Sequence, residues 1–458
     1  MSVTTQMAHF ALGLTFQDIP GAAIREAKRF ILDSVGCAIA ASKNPDMLAA
    51  QRYVSKIAGP AHATIIGSGA KADAPNAALM NSLLIRAMDY NDIYWQQDPS
   101  HPSDIIPAAM ACGEKTDKST KELLVGVVIA YELEMRWCRA AHPGIREVGW
   151  HHATLTQFVS PFVAARMLDL SPAQTVAAAG ISGSSHFTLG GVVAGHLTNM
   201  KNPADPMAVE AGVRAALLAS EDYSGPVEII EGKEGLIKVL NAVEWSTDEL
   251  LDGLGKKFLI TECSYKAFPT EALTHQPITA ALHLCQRHKL AADSIKEILV
   301  KTTTRSADIL SDPGKYKPQT KETADHSLPY CIAAAVVDGN VLPSSFSEEK
   351  LKDPAIWRML KKIRVVADPD IDSLFPGIKR AIVSITTKNG QTCEESVDHA
   401  KGSPQNPLSD EELIAKFKAN TERFMNGKRQ DEIVATTLSL DETDQPISQY
   451  MGLLVNEK

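Results

Sequence analysis

Residues 88–104 read MDYNDIYWQQDPSHPSD and gather carboxylates, aromatic rings and one histidine in a short span. A carboxylate near an imidazole changes the ring's proton affinity, which general acid–base chemistry can exploit. Apolar residues at helical spacing over residues 76–87 predict a helix, and Pro99 and Pro102 forbid its continuing through the segment that follows. Asp89, Asp92 and His101 are therefore expected on a helix end and a constrained loop, where catalytic groups concentrate. On local sequence alone, capping by the aspartates and a plain loop role for His101 are equally well supported.

Four other places hold polar residues that packing explains poorly. Gly149-Trp-His-His152 opens a predicted helix, where the positive end of the helix dipole favours a neutral imidazole, although a histidine there could equally cap the helix. Lys201 ends a charge-free run, so its ammonium is expected to be partly buried and to need an anionic partner; a solvated loop lysine is the alternative. Tyr265-Lys-Ala-Phe-Pro269 puts Lys266 beside aromatics where the sequence pattern changes, a common cleft position and equally a hinge. In residues 324–334, Asp325, His326, Ser327 and Tyr330 lead into an apolar helix. There Asp325 or Ser327 can cap the helix, and Tyr330 is either a proton donor, if a lysine lowers its pKa, or a core residue. No P-loop, GxGxxG, GxSxG or HExxH motif occurs.

The elements that must carry these residues are helical up to about residue 265. Helical patterns run over 20–41, 76–90, 119–140, 152–168, 171–180 and 208–219, with Pro20 at a helix start and Ser171 as a cap before Pro172. Beyond Pro269 the pattern shifts to strands at 295–304, 363–367, 381–387 and 391–397, with helices at 270–287 and 327–337. Lys388-Asn-Gly390 between two alternating segments predicts a hairpin. From Ser409 the helical pattern returns and is expected to dock on the first region. The fold class read from this is mainly α with an α+β second domain whose sheet is mostly antiparallel.

Composition narrows the function classes. The chain has 458 residues, 44% hydrophobic and 22% charged, with a net charge of −9, which offers no global attraction to nucleic acid or anionic lipid. The seven cysteines, at 37, 112, 138, 263, 285, 331 and 393, are scattered and contain no C-x-x-C pair, so neither structural zinc nor an iron–sulfur cluster is expected. Residues 172–200 lack Asp, Glu, Lys and Arg, yet their many Ser, Thr, Asn, Gln and His side chains oppose a bilayer span. A buried helix followed by a glycine-rich loop, LGGVVAGH, is expected instead. The first residues lack a secretory pattern, so a cytoplasmic protein is expected.

Taken in order, MDYND with SHPSD, GWHH, a lysine after a glycine-rich loop, YKAFP, DHSLPY and GSPQNPLSD resemble the MmgE/PrpD family over almost the whole chain. That family includes 2-methylcitrate dehydratase, cis-aconitate decarboxylase and iminodisuccinate epimerase. The resemblance implies a large all-helical domain from both chain ends (1–265 and 405–458), an inserted α+β lid domain (266–404) and a homodimer. By motif it implies a site of Asp89, His101, His151, Lys201, Lys266 and Tyr330 acting on a small di- or tricarboxylate, and the cysteine spacing adds the expectation that it needs no cofactor or metal. In that reading His101 is the general base or acid, Asp89 orients it, Lys201 and Lys266 clamp carboxylates, and Tyr330 and His151 donate protons. Dehydration of 2-methylcitrate or citrate leads. Decarboxylation or epimerisation of a related acid, or binding without catalysis, are the alternatives. Two positions depart from the family pattern, Ile93 in place of a frequent threonine and Asn202-Pro-Ala-Asp-Pro206 after Lys201, and both bear on substrate choice.

Overall fold

The computed structural model describes residues 1–194 and 197–456. Its chain forms two compact units. The first comprises Met1–Gly195, Asn199–Cys263 and Ser409–Lys458, and the second His196–Thr198 and Ser264–Leu408.

The first unit is a stack of helices. Gly21–Ala41 and Thr120–Ala140 are largely buried, and they meet where the Phe30 and Tyr131 rings lie 4.8 Å apart. Ala204–Ser220 packs against Ala74–Arg86, Ser160–Met167 and Pro172–Ser182. That close approach depends on Gly212, where an added Cβ would fall 2.0 Å from the Ser160 hydroxyl. The helix Asp410–Thr421 packs on Gly21–Ala41 and contributes Lys416, whose buried ammonium is 2.7 Å from Asp33 and donates to the Tyr90 carbonyl at 2.8 Å. Two charges out of water are tolerated when each neutralises the other and the remaining donors are used.

One expected helix is broken. In place of a continuous run over 152–168, the chain makes a short helix, Ala153–Thr156, and a second, Ser160–Met167. Pro161 at the start of the second has no N–H to continue the first, and the interruption turns Thr156 inward to two buried carboxyls. Of the glycine-rich loop read at 189–196, Gly190–Val192 forms a 3-10 turn, whereas Gly195 and His196 lie outside the described residues. Among the described residues no helix is long and apolar enough to cross a membrane.

The second unit is built on a four-stranded mixed sheet in the order Thr392–Val397, Ala381–Thr387, Ile295–Thr302, Ile363–Ala367. Its first two pairings are antiparallel and the last is parallel. Strand Ala381–Thr387 buries Ala381, Val383, Ile385 and Thr387 in strict alternation, the pattern of a sheet with one covered face. The hairpin turn uses Gly390 at φ 88°, a conformation that costs glycine little. Helices His275–His288 and Leu328–Asp338 pack together, the former lying against the hairpin strands.

Candidate active site

The helix Ala74–Arg86 delivers the first group of charges. Asp89, just past its end, is in the left-handed region at φ 47°, which an aspartate tolerates better than most residues. The turn folds its carboxylate back onto Arg86, with Oδ1 2.5 Å from Nη1, while Oδ2 receives Lys201 Nζ at 3.2 Å. All three residues are buried. Asp104 lies on the other side of the guanidinium, 3.6 Å from Nε, and accepts from Asn91 at 3.1 Å. Burial raises the Asp104 pKa well above the usual carboxylate value, against the pull of Arg86. Burial also opposes the Arg86 charge, but Asp89, Asp104 and Asp205 together raise its pKa, so it stays cationic.

His101 follows the small ribbon formed by Tyr94–Trp95 and Pro99–Ser100. Its Nδ1 is 2.6 Å from the carbonyl oxygen of Asp92. A carbonyl only accepts, so Nδ1 carries the hydrogen and the neutral ring keeps its lone pair on Nε2, the arrangement a general base needs. At Nδ1 the ring is held by the Asp92 main chain. The Asp92 side chain is fixed in turn by the Ser103 hydroxyl at 2.6 Å and amide at 3.0 Å, and burial pushes its pKa up to about 6.

His151 and His152 approach from another loop, held by a hydrogen bond from the His151 amide to the Thr188 carbonyl. Their rings are 3.9 Å apart, and the His152 ring is 5.7 Å from that of His101. His151 Nδ1 accepts the Ala153 amide at 3.2 Å, which fixes it as an Nε2–H donor when neutral. Burial, with His152 beside it, holds its pKa well below the usual imidazole value. His152 Nε2 instead faces Asp205 Oδ2 at 3.2 Å. Burial alone would raise Asp205, but His152, His151 and Arg86 hold its pKa far below the carboxylate range, so it is an anion. His152 Nδ1 and Asn202 Nδ2 are buried without a protein hydrogen-bond partner.

Four of the six sequence-predicted residues, Asp89, His101, His151 and Lys201, therefore belong to the first unit, linked by this buried network. Lys266 and Tyr330 belong to the second. Lys266 is buried there. Tyr330 lies inside that unit's core, its hydroxyl donating to the Ser345 carbonyl at 2.8 Å and its ring 5.9 Å from Phe346, and burial raises its pKa far above the phenol value. Also in the second unit, Asp325 pairs with His326 at 2.6 Å and Lys321 at 3.0 Å.

Sequence reasoning missed Arg86, Asp104 and Asp205 and left His152 open between an acid–base group and a helix cap. A signal existed for Arg86, a charge closing an otherwise uncharged helix. Asp205 reads locally as a residue of a helix's first turn, and nothing in the sequence points it at His152. His151, His152 and Asp205 place donor atoms within 4.8 Å of one another, a spacing that a metal ion could use. The positive field of Arg86 on Asp205 and His151 opposes a cation there and favours a histidine–carboxylate acid–base pair.

Comparison with known proteins places the whole chain. The MmgE/PrpD N-terminal domain matches residues 5–246, and the MmgE/PrpD C-terminal domain matches residues 268–442. The cis-aconitate decarboxylase-like protein oryM of Aspergillus oryzae is 25% identical, over 100% of this chain and 98% of its own length. Human cis-aconitate decarboxylase is 25% identical over 97% of this chain and 91% of its own. The 2-methylcitrate dehydratase of Salmonella typhimurium is 25% identical over 93% and 92%.

Proposed function

The chain belongs to the MmgE/PrpD family, and from that premise we propose that it is a lyase that dehydrates 2-methylcitrate or citrate to a cis-aconitate-type product. The observation that carries this reading is the convergence of two buried cations, Arg86 and Lys201, on Asp89 beside two histidines whose rings are 5.7 Å apart. Removing a proton next to a carboxylate puts negative charge on that carboxylate. The step is fast only where fixed cations already face the site of developing charge. Lys201 is suited to this: at 3.2 Å from Asp89 it can turn toward a substrate carboxylate without leaving its partner's field.

In the proposed mechanism His101 Nε2 takes the proton from the carbon, its ring held by the Asp92 carbonyl. His152, its Nε2 facing Asp205, then gives a proton to the departing hydroxyl, which leaves as water. His151, held as an Nε2–H donor, contributes a hydrogen bond to the substrate. Lys266 enters as a second carboxylate clamp on the resemblance of the YKAFP motif alone. Tyr330 is left out of the proton steps because its hydroxyl is committed to Ser345. The division into domains at 265/266 and 404/405, the homodimer and the cytoplasmic location are parts of the same proposal.

Decarboxylation uses the same machinery with carbon dioxide as the leaving group, and human cis-aconitate decarboxylase aligns over 97% of this chain. A panel of citrate, 2-methylcitrate and cis-aconitate, followed by absorbance of the unsaturated acid and by carbon dioxide release, separates the two. Dehydration is expected. Carbon dioxide from cis-aconitate would replace it with the second reading, and no turnover of any tricarboxylate overturns both.

A further inference from the structure

Behind the histidines lies a carboxyl that the mechanism above does not use. Glu134 is in the middle of Thr120–Ala140 and is fully buried. Oε1 meets the Ser100 hydroxyl at 2.5 Å and the Thr156 hydroxyl at 2.9 Å, while Oε2 is buried without a hydrogen-bond partner. Among the described residues no lysine, arginine or histidine is ion-paired with Glu134. An ionised carboxylate in that setting would be a buried charge without a counterion, a state that proteins avoid by neutralising the group.

Thr156 supplies the independent geometric argument. Its hydroxyl has one hydrogen and lies between two carboxyls, 2.9 Å from Glu134 Oε1 and 3.2 Å from Asp205 Oδ1. Were both anions, one proton would have to serve two negative oxygens. If Glu134 carries a proton, the chain closes without conflict: Glu134 donates to Thr156, Thr156 donates to Asp205, and Asp205 faces His152 at 3.2 Å. We propose that Glu134 is a neutral carboxylic acid in the working enzyme and that, through Thr156, it positions Asp205 against His152. It is a positioning residue, since it touches neither histidine.

The ionisable groups shown to act on Glu134 favour its neutral form. Asp205 comes from the helix Ala204–Ser220, Asp92 from the loop after Asp89, Asp104 from the 3-10 segment Pro102–Ile105, and Cys138 from the same helix as Glu134. None is cationic. Burial, reinforced by Asp205 and Asp92 and opposed by the Ser100 and Thr156 hydroxyls, pushes the Glu134 carboxyl up to about 8.

The activity arm rests on the proposed lyase reading; the spectroscopic arm does not. Glu134→Gln reproduces a neutral group whose N–H reaches Thr156, whereas Glu134→Ala removes it. Turnover at pH 7 should fall at least tenfold in Glu134→Ala and be largely restored in Glu134→Gln. The decline of wild-type turnover above about pH 8 should be absent from Glu134→Gln, because an amide cannot ionise. Glu134→Gln as inactive as Glu134→Ala at an unchanged Tm, or an unaltered alkaline limb, overturns the proposal. The second arm uses wild-type protein carrying 13C at the glutamate δ-carbons. One resonance should remain protonated at pH 7 and titrate above it, and that resonance should be missing from Glu134→Gln. Glutamates all ionised by pH 6 would refute the neutral acid even if no tricarboxylate is turned over.

Discussion

His101→Asn separates chemistry from architecture at the centre of the network. The amide nitrogen of asparagine can occupy the place of Nδ1 and keep the hydrogen bond to the Asp92 carbonyl, now 2.6 Å long, while Nε2 and its lone pair disappear. A hydrogen bond of this kind contributes about 0.5–1.5 kcal/mol net, and retaining it leaves only a modest packing loss. The loss of general acid–base assistance costs about 10²–10⁴ in rate. At about 1.36 kcal/mol per tenfold, that is roughly 2.7–5.4 kcal/mol of barrier, several times the expected stability change. Steady-state turnover on the tricarboxylate panel, with Tm measured on the same samples, should show kcat down by two to four orders of magnitude and Tm lowered by a few degrees at most. Turnover within a fewfold of wild type at unchanged Tm would refute the assignment of His101 as base and pass that role to His152.

Lys201→Met should raise KM as well as lower kcat, since the substrate carboxylates are charged before the reaction begins; an effect on kcat alone would contradict its clamping role. Lys416→Met leaves Asp33 buried without its closest cation and should cost about 3–5 kcal/mol in denaturant unfolding. Lys416→Met combined with Asp33→Leu should recover most of that, and failure to recover would show that the Tyr90 carbonyl contact, rather than the buried charge, sets the cost. Stability should also depend on pH through Glu134. Its folded-state pKa is raised from 4.5 to about 8, so its contribution is full below about 4.5 and is lost as pH rises toward 8. Wild-type Tm should therefore fall relative to that of Glu134→Gln between pH 5 and pH 8, and parallel curves would contradict this. Dialysis against a strong chelator should leave turnover unchanged, whereas activity restored by one equivalent of a divalent metal would reverse the reading of His151, His152 and Asp205 as an acid–base group.

What the sequence made legible was local. Apolar spacing placed the helices Gly21–Ala41 and Thr120–Ala140 within a residue or so, and Asn389-Gly390 between alternating segments marked the hairpin. Period and turn chemistry act over a few residues, so they can be read from a few residues. The break between Thr156 and Ser160 was not readable, because Val159 and Pro161 are compatible with a helix that simply starts late. The partners that Thr156 meets at the break, Glu134 and Asp205, are supplied only by the tertiary structure. The same limit applies to the candidate site. Asp89 and Lys201 are separated by 112 residues, and the sequence suggested that Lys201 needed an anionic partner without saying which. The left-handed turn at Asp89 had no signal, since aspartate is equally at home in ordinary turns.

The central claim is that this network moves a proton to or from a carbon next to a carboxylate. Citrate and 2-methylcitrate deuterated on the carbons next to their carboxylates, incubated with the enzyme in H2O, and cis-aconitate incubated in D2O, read that event directly by NMR. Loss of a carbon-bound deuteron to solvent from a labelled hydroxy acid, or gain of one from solvent by cis-aconitate, is expected, and its rate should collapse in His101→Asn. Complete absence of both, with folded protein at micromolar concentration, would contradict the account.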